Sequence, residues 1–168
     1  VDLTHRYAVS LEWTGNRGTG TSGYRDYGRD HVVRAEGKAE LGGSADPAFR
    51  GDADRWNPEE LLLTALSQCH LLSYLHVAAS HGLTVLAYAD EPVGEMQQTA
   101  DGGGHFTQVT LRPRVTVADA SQLQLANELH HEAARKCFIA ASVNFPVRHE
   151  PTAVAADAAS GAPGAASA

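Results

Sequence analysis

The sequence predicts an α+β fold, and three observations carry that reading. Two segments, 58–81 and 119–136, place apolar residues at helical spacing. Shorter runs of alternating apolar and polar residues lie before, between and after them. The chain has 168 residues, enough for one substantial core and too few for two ordinary domains. Helices set among antiparallel strands are the arrangement such a pattern supports.

The elements follow in order. His5, Tyr7, Val9, Leu11 and Trp13 alternate with smaller or polar residues, which predicts a strand with one covered face. TGNRGTGTSGYRDYGRD then places five glycines between residues 14 and 30, a long loop of the kind often used for function. Val32 to Lys38 reads as a second strand and GGSADP at 42–47 as a turn. Asn57 can cap a helix whose first position suits Pro58. Glu59 and Glu60 stand in its first turn, and Gly82 is a stop after about His81. Leu61, Leu62, Ala65, Leu66, Cys69, Leu72 and His76 or Val77 give this helix a wide apolar face, which predicts a central position. Thr84 to Val93 and Phe106 to Val117 read as strands joined across the glycines at 102–104, with Pro113 marking an edge or bulge. Asp119 with Gln122 resembles a capping box. Leu123, Ala126, Leu129, His130 and Ala133 carry the second helix to about Lys136. The turn FIAAS and a last strand near Phe145 to Arg148 complete a single domain over 1–150. From Pro151 the sequence PTAVAADAASGAPGAASA has no side chain larger than valine, so 151–168 is expected to be a disordered tail.

Charge and composition exclude several classes of function. Thirteen basic residues face 20 acidic ones, and the formal charge of -7 argues against nucleic acid or an anionic membrane as partner. Two cysteines are too few for a secreted disulfide scaffold. Gln68, Cys69 and His70 interrupt the longest apolar run, and the N-terminal residues lack the basic-then-apolar order of a signal peptide. The expectation is a cytoplasmic protein whose cysteines are thiols or a transient redox pair.

Those cysteines are the focus. Cys69 lies inside the first helix and Cys137 where the second ends; either is by default a small buried hydrophobe. Glu59 precedes Cys69 by ten residues, about 80° around and about 15 Å along an ideal helix. The two cannot touch, but an arginine fork could hold the carboxylate and still face a thiolate, lowering its pKa. Arg17, Arg25 and Arg29 in the glycine-rich loop are candidates, each also readable as an ordinary surface arginine. Amides of the turn after Cys137 would favour its thiolate, as would Arg135 and Lys136. His70, His76, His130 and His131 with the two thiols offer a competing metal-ligand set, but no Cys-x-x-Cys or His-x-x-x-His spacing occurs. The glycine series at 15, 18, 20 and 23 does not form GxGxxG after a strand, and GGG at 102–104 has no following Lys-Ser/Thr. No metal or cofactor is expected.

RWNPEELLLTALSQCHLLSYLHVAA at 55–79 and HHEAARKCFIAASVNFPV at 130–147 together resemble the OsmC/Ohr family of osmotically inducible proteins and organic hydroperoxide reductases, and its OsmC-like branch in particular. The resemblance covers roughly residues 4 to 150. It implies an intertwined homodimer with central long helices, bent antiparallel sheets outside, and active sites at the subunit interface. On it Cys69 matches the peroxidatic cysteine, Cys137 the resolving one, and Glu59 the carboxylate that holds the catalytic arginine. Arg17 is favoured for that arginine, with Arg29 and Arg25 as rivals. Phe138 stands where many members have proline. The implied reaction reduces an organic hydroperoxide to an alcohol through a Cys69 sulfenic acid and a Cys69–Cys137 disulfide, which a dithiol, typically a lipoylated protein, reopens. Leu62, Leu66, Leu72 and Phe138 would line an apolar substrate pocket. The alternative is a non-catalytic dimeric small-molecule binding or stress protein whose cysteines are structural.

Overall fold

The computed structural model describes residues 3–156 as an α+β arrangement of nine strands and two long helices, joined by short 3-10 turns. It divides into two compact units after Leu62.

The first unit is built on an antiparallel sheet of β1 (Ser10–Trp13), β2 (His31–Arg34) and β3 (Leu41–Gly43), in that order. Leu11 faces Val33 across the first pair and His31 faces Gly43 across the second. The expected strand from His5 is shorter than predicted and has no covered face: all four β1 residues are exposed, and Tyr7 is 91% exposed. Strand β3 falls where a turn was expected. Its glycines suit the close neighbours there, because a Cβ at Gly43 would collide with the His31 ring. The long loop between β1 and β2 is pinned by a backbone crossing in which Gly28 N–H donates to the Gly15 carbonyl at 2.8 Å. Trp13 Nε1 donates to the Gly28 carbonyl at 2.9 Å, and a Cβ on Gly15 would strike that same carbonyl.

Helix α1 (Pro58–Ser80) begins as the sequence predicts. Asn57 Oδ1 accepts from Glu60 N–H at 2.8 Å, and Glu60 Oε2 accepts from Asn57 N–H at 3.3 Å, a reciprocal cap. Gly82, at φ 69°, ends it in the left-handed region that glycine enters without cost. By length and composition α1 could cross a membrane, so the interruption at Gln68 to His70 does not exclude one. Its buried residues are Leu66, His70, Tyr74, Val77 and Ala78, with Leu72 65% exposed. The helix is therefore docked along one face, and the expectation of a helix covered on most sides is not met within a single chain.

The second unit packs that face against two mixed three-stranded sheets and α2 (Leu123–Lys136). One sheet is β4 (Val85–Ala89), β7 (Arg114–Val117) and β9 (Thr152–Ala155); the other is β5 (Val93–Gln98), β6 (Gly104–Leu111) and β8 (Val147–His149). In each the middle strand pairs antiparallel on one side and parallel on the other. The single strand expected over 106–117 is two strands in different sheets. Pro113, fully buried, separates them; it has no N–H for a ladder, and its carbonyl accepts from Thr152 N–H at 2.8 Å. Strand β5 was not expected either. It forms a hairpin with β6 across the glycines at 102–104. The core joins Tyr74, Val77 and Ala78 of α1 to Val115, Val117, Ala126, Leu129 and Ala133.

Strand β9 corrects the expected tail. Thr152–Ala155 pairs with β7 and lays Ala153 against the core, so side-chain size misjudged a segment held by backbone hydrogen bonds. Residues 157–168 of that expected tail lie outside the described residues.

Asp119 caps a 3-10 turn at 120–122 rather than α2 itself, its Oδ1 accepting from Ser121 N–H at 2.8 Å. Helix α2 ends at Lys136, and Cys137 follows as its extended C-cap.

Candidate active site

Topology brings the two cysteines together across 68 residues of chain. Helix α1 supplies Cys69, which is partly exposed; the end of α2 supplies Cys137, 2% exposed. Both are free thiols. The turn after Cys137 curls its amides onto the sulfurs: Ile139 N–H points at Cys69 Sγ at 3.5 Å and Ala140 N–H at Cys137 Sγ at 3.4 Å. The Cys137 thiol also interacts with Cys69 and with the Ile139 amide. Its pKa is nevertheless pushed up. Burial is the largest cause and the hydrogen shared with Cys69 the next, and both outweigh the amides that were expected to favour thiolate. The pair is thus unequal, one sulfur reachable and one enclosed and protonated.

Behind the thiols lies a stack of aromatic rings that spacing alone did not reveal. His70 Nε2 and His130 Nδ1 share a hydrogen bond of 2.9 Å, with ring planes 18° apart. Tyr74 stacks on His130 at 4.0 Å between centroids, and His149 of β8 lies 4.3 Å from His70. Burial drives His70 down to about 3 and His130 to about 4, with the neighbouring His149 as the next cause in each. His149 is lowered too, by burial first, although Asp90 opposes the shift. The rings are therefore neutral at pH 7. Among the described residues no three histidine, cysteine or acidic side chains are disposed to share a metal ion, and His76 is exposed. His149 follows Pro146 in a short strand, and nothing in its spacing signals the contact.

Glu59 and the three loop arginines belong to the first unit. Glu59 Oε2 is enclosed and has no hydrogen-bond partner among the described residues. Among the described residues no arginine forms an ion pair with it. Arg29 is occupied elsewhere: its guanidinium donates to the Tyr27 carbonyl at 2.6 Å and the Tyr24 carbonyl at 2.9 Å, and rests on both tyrosine rings. Arg17 is exposed and lines a cavity of about 270 Å³ with Arg29, Asp30, Ser44, Arg50 and Asp52. Arg25 is exposed and outside that cavity. Of the apolar candidates, Leu66 is fully buried in the second unit and Leu62 half-buried, while Leu72 and Phe138 (78%) are exposed.

The OsmC-like protein family model matches residues 51–152, which hold the start of α1, both cysteines and the histidine stack. The chain belongs to the OsmC-like family. An OsmC-like protein of unknown function from Vibrio cholerae is similar at 30% identity and a TM-score of 0.79, over 88% of this chain and 99% of that one. Fold similarity extends to an organic hydroperoxide resistance protein from Elizabethkingia anophelis (17% identity, TM-score 0.64, 92% and 100% covered). It also reaches one from Legionella pneumophila (14%, 0.66, 90% and 98%). No curated protein sequence matches the chain. The OsmC-like assignment accounts for the α+β topology and for the two segments, around Cys69 and Cys137, that carry the resemblance in the sequence.

Proposed function

We propose that this OsmC-like protein is a thiol-dependent peroxidase that reduces organic hydroperoxides. The observation that carries the reading is the unequal cysteine pair, a reachable Cys69 beside an enclosed Cys137. The Cys69 thiolate attacks the outer peroxide oxygen; the O–O bond breaks, and the departing alkoxide takes a proton to become the alcohol. The Ile139 amide faces the sulfur on which the sulfenic acid forms. Cys137 then attacks that sulfur, the S–S bond forms, and hydroxide leaves with the Cys137 proton as water. A dithiol, such as a lipoylated protein, restores both thiols by exchange. We assign the steadying of the alkoxide to Arg17, with Arg25 as its rival, because Arg29 is held by its two tyrosines. The test is mass mapping after one equivalent of cumene hydroperoxide. A disulfide joining Cys69 and Cys137 is expected; two intact thiols would refute the enzyme and favour a binding protein.

The working form in this proposal is a cytoplasmic homodimer. Support comes from apolar side chains that stand uncovered in one chain (Tyr7, Val9, Leu11, Leu72 and Phe138) and from the enclosed Glu59 oxygen that lacks a partner. Light scattering at micromolar concentration should give twice the 17.8 kDa chain mass. A species at the chain mass would remove the dimer.

A further inference from the structure

The first unit holds a charged cavity, and of its lining residues the peroxidase reading uses Arg17 and leaves Arg50 without a role. We propose that the cavity lined by Arg17, Ser44, Arg50 and Asp52 is a binding site for a small oxyanion, a carboxylate or a phosphate group, with Arg50 as its main ligand.

The first argument is charge. Asp30 and Asp52 are already answered. Arg55 Nε lies 3.7 Å from the Asp30 carboxylate and 3.9 Å from that of Asp52, and Ser44 Oγ donates to Asp30 at 3.2 Å. Arg29 commits two of its donors to carbonyls and rests on two tyrosine rings. Arg17 and Arg50 are left without an ion pair among the described residues, so the lining carries positive charge in excess. A guanidinium fork matches the two oxygens of a carboxylate or phosphate.

The second argument is backbone strain. Arg50 sits at φ 66° and ψ 28°, the only non-glycine residue with positive φ among those described. Glycine would take this conformation freely, whereas a side chain takes it at a cost. The protein keeps an arginine there, as the C-cap of the Pro47–Phe49 turn and in the lining of the cavity, and strain of this kind accompanies function.

The walls, finally, are fixed. Ser44 is 1% exposed and bridges the two sides, its Oγ accepting from Asp52 N–H at 3.1 Å while donating to Asp30. A Cβ on Gly51 would collide with the Ala45 carbonyl, so the residue beside Arg50 can only be glycine in this loop. The volume, about 270 Å³, lies just under the ~300 Å³ at which small-molecule pockets begin and suits a compact anion.

The test uses the intact protein, without peroxide, so its result is independent of turnover at Cys69. Melting is followed while inorganic phosphate or butyrate is added at constant ionic strength. The expected result is a saturable rise in Tm for the wild type. Arg50→Gly should melt no lower than wild type without ligand, because the strain is relieved, yet bind at least tenfold more weakly. Arg50→Lys should fall between them, and Arg135→Ala on α2 should respond as wild type. A response to phosphate alone assigns a phosphate site, and one to butyrate alone a carboxylate site; both support the proposal. No response to either anion, or an Arg50→Gly response equal to wild type, overturns it.

Discussion

Replacing Cys69 with serine is expected to abolish hydroperoxide turnover, by more than about a thousandfold, the scale on which nucleophile deletions act. Cys137 cannot take over the first attack, because burial, the largest cause of its raised pKa, still keeps it a thiol when Cys69 is gone. The reciprocal variant separates the two roles. Cys137→Ser should consume one equivalent of peroxide at close to the wild-type rate of the first step and then stall, leaving a sulfenic acid that a dimedone-type reagent traps at Cys69. Trapping at neither position, with peroxide untouched, would show that Cys69 is not the nucleophile. Equal and complete losses in both variants, including the first equivalent, would show that the pair acts as a structural unit.

The second large effect is on stability as pH falls. His70 and His130, both essentially buried, have folded-state pKa values of about 3 and about 4. Their unfolded value is about 6.5. Between those limits the unfolded chain binds protons that the folded chain refuses, so unfolding becomes easier as the solution is acidified. The stabilisation is fully present above pH 6.5 and is lost progressively toward pH 4, at up to about 1.4 kcal/mol per pH unit for each ring. The groups facing the stack do not rescue it: Tyr74 and Tyr88 are neutral, His131 opposes protonation of His130, and Asp90 acts on His149 and Tyr88 but on neither His70 nor His130. Urea unfolding should lose about 3 kcal/mol between pH 6.5 and pH 5, a large part of a typical ~5–15 kcal/mol. Proton uptake on unfolding near pH 5.5 should approach two per chain. A flat profile over this range would mean that the rings already carry charge when folded.

The clearest features in the sequence were those written locally. Asn57-Pro58-Glu59-Glu60 specifies a helix start by capping chemistry, and Gly82 specifies its end; both stand in the structure. The α2 periodicity was equally plain, as its buried Ala126, Leu129, His130 and Ala133 recur on one face. Strands β3 and β9 were not legible, because glycine and alanine carry little side-chain signal and what holds them is pairing with distant partners. The break at Pro113 was seen as an irregularity; that it sends the chain into a second sheet is a tertiary fact. At the site, each cysteine could be placed on its own element, whereas the shared Ile139 amide depends on how α1 meets the turn after α2. His149 and Arg50 had no motif to announce them. One is found by the ring it touches and the other by a dihedral angle.

The parallel pairings of β8 with β6 and of β9 with β7 bear on how the protein is made. Synthesis runs from the N-terminus at ~5–20 residues per second. While residues 147–155 remain unmade, both central strands of the second unit present an open ladder to the cell. Neither sheet can close until those strands are made, and they must reach back to neighbours laid down about 40 residues earlier, a long-range closure that slows folding. A ribosome stalled just short of Val147 would therefore hold a nascent chain with two adhesive edges, the species most exposed to chaperones and to aggregation.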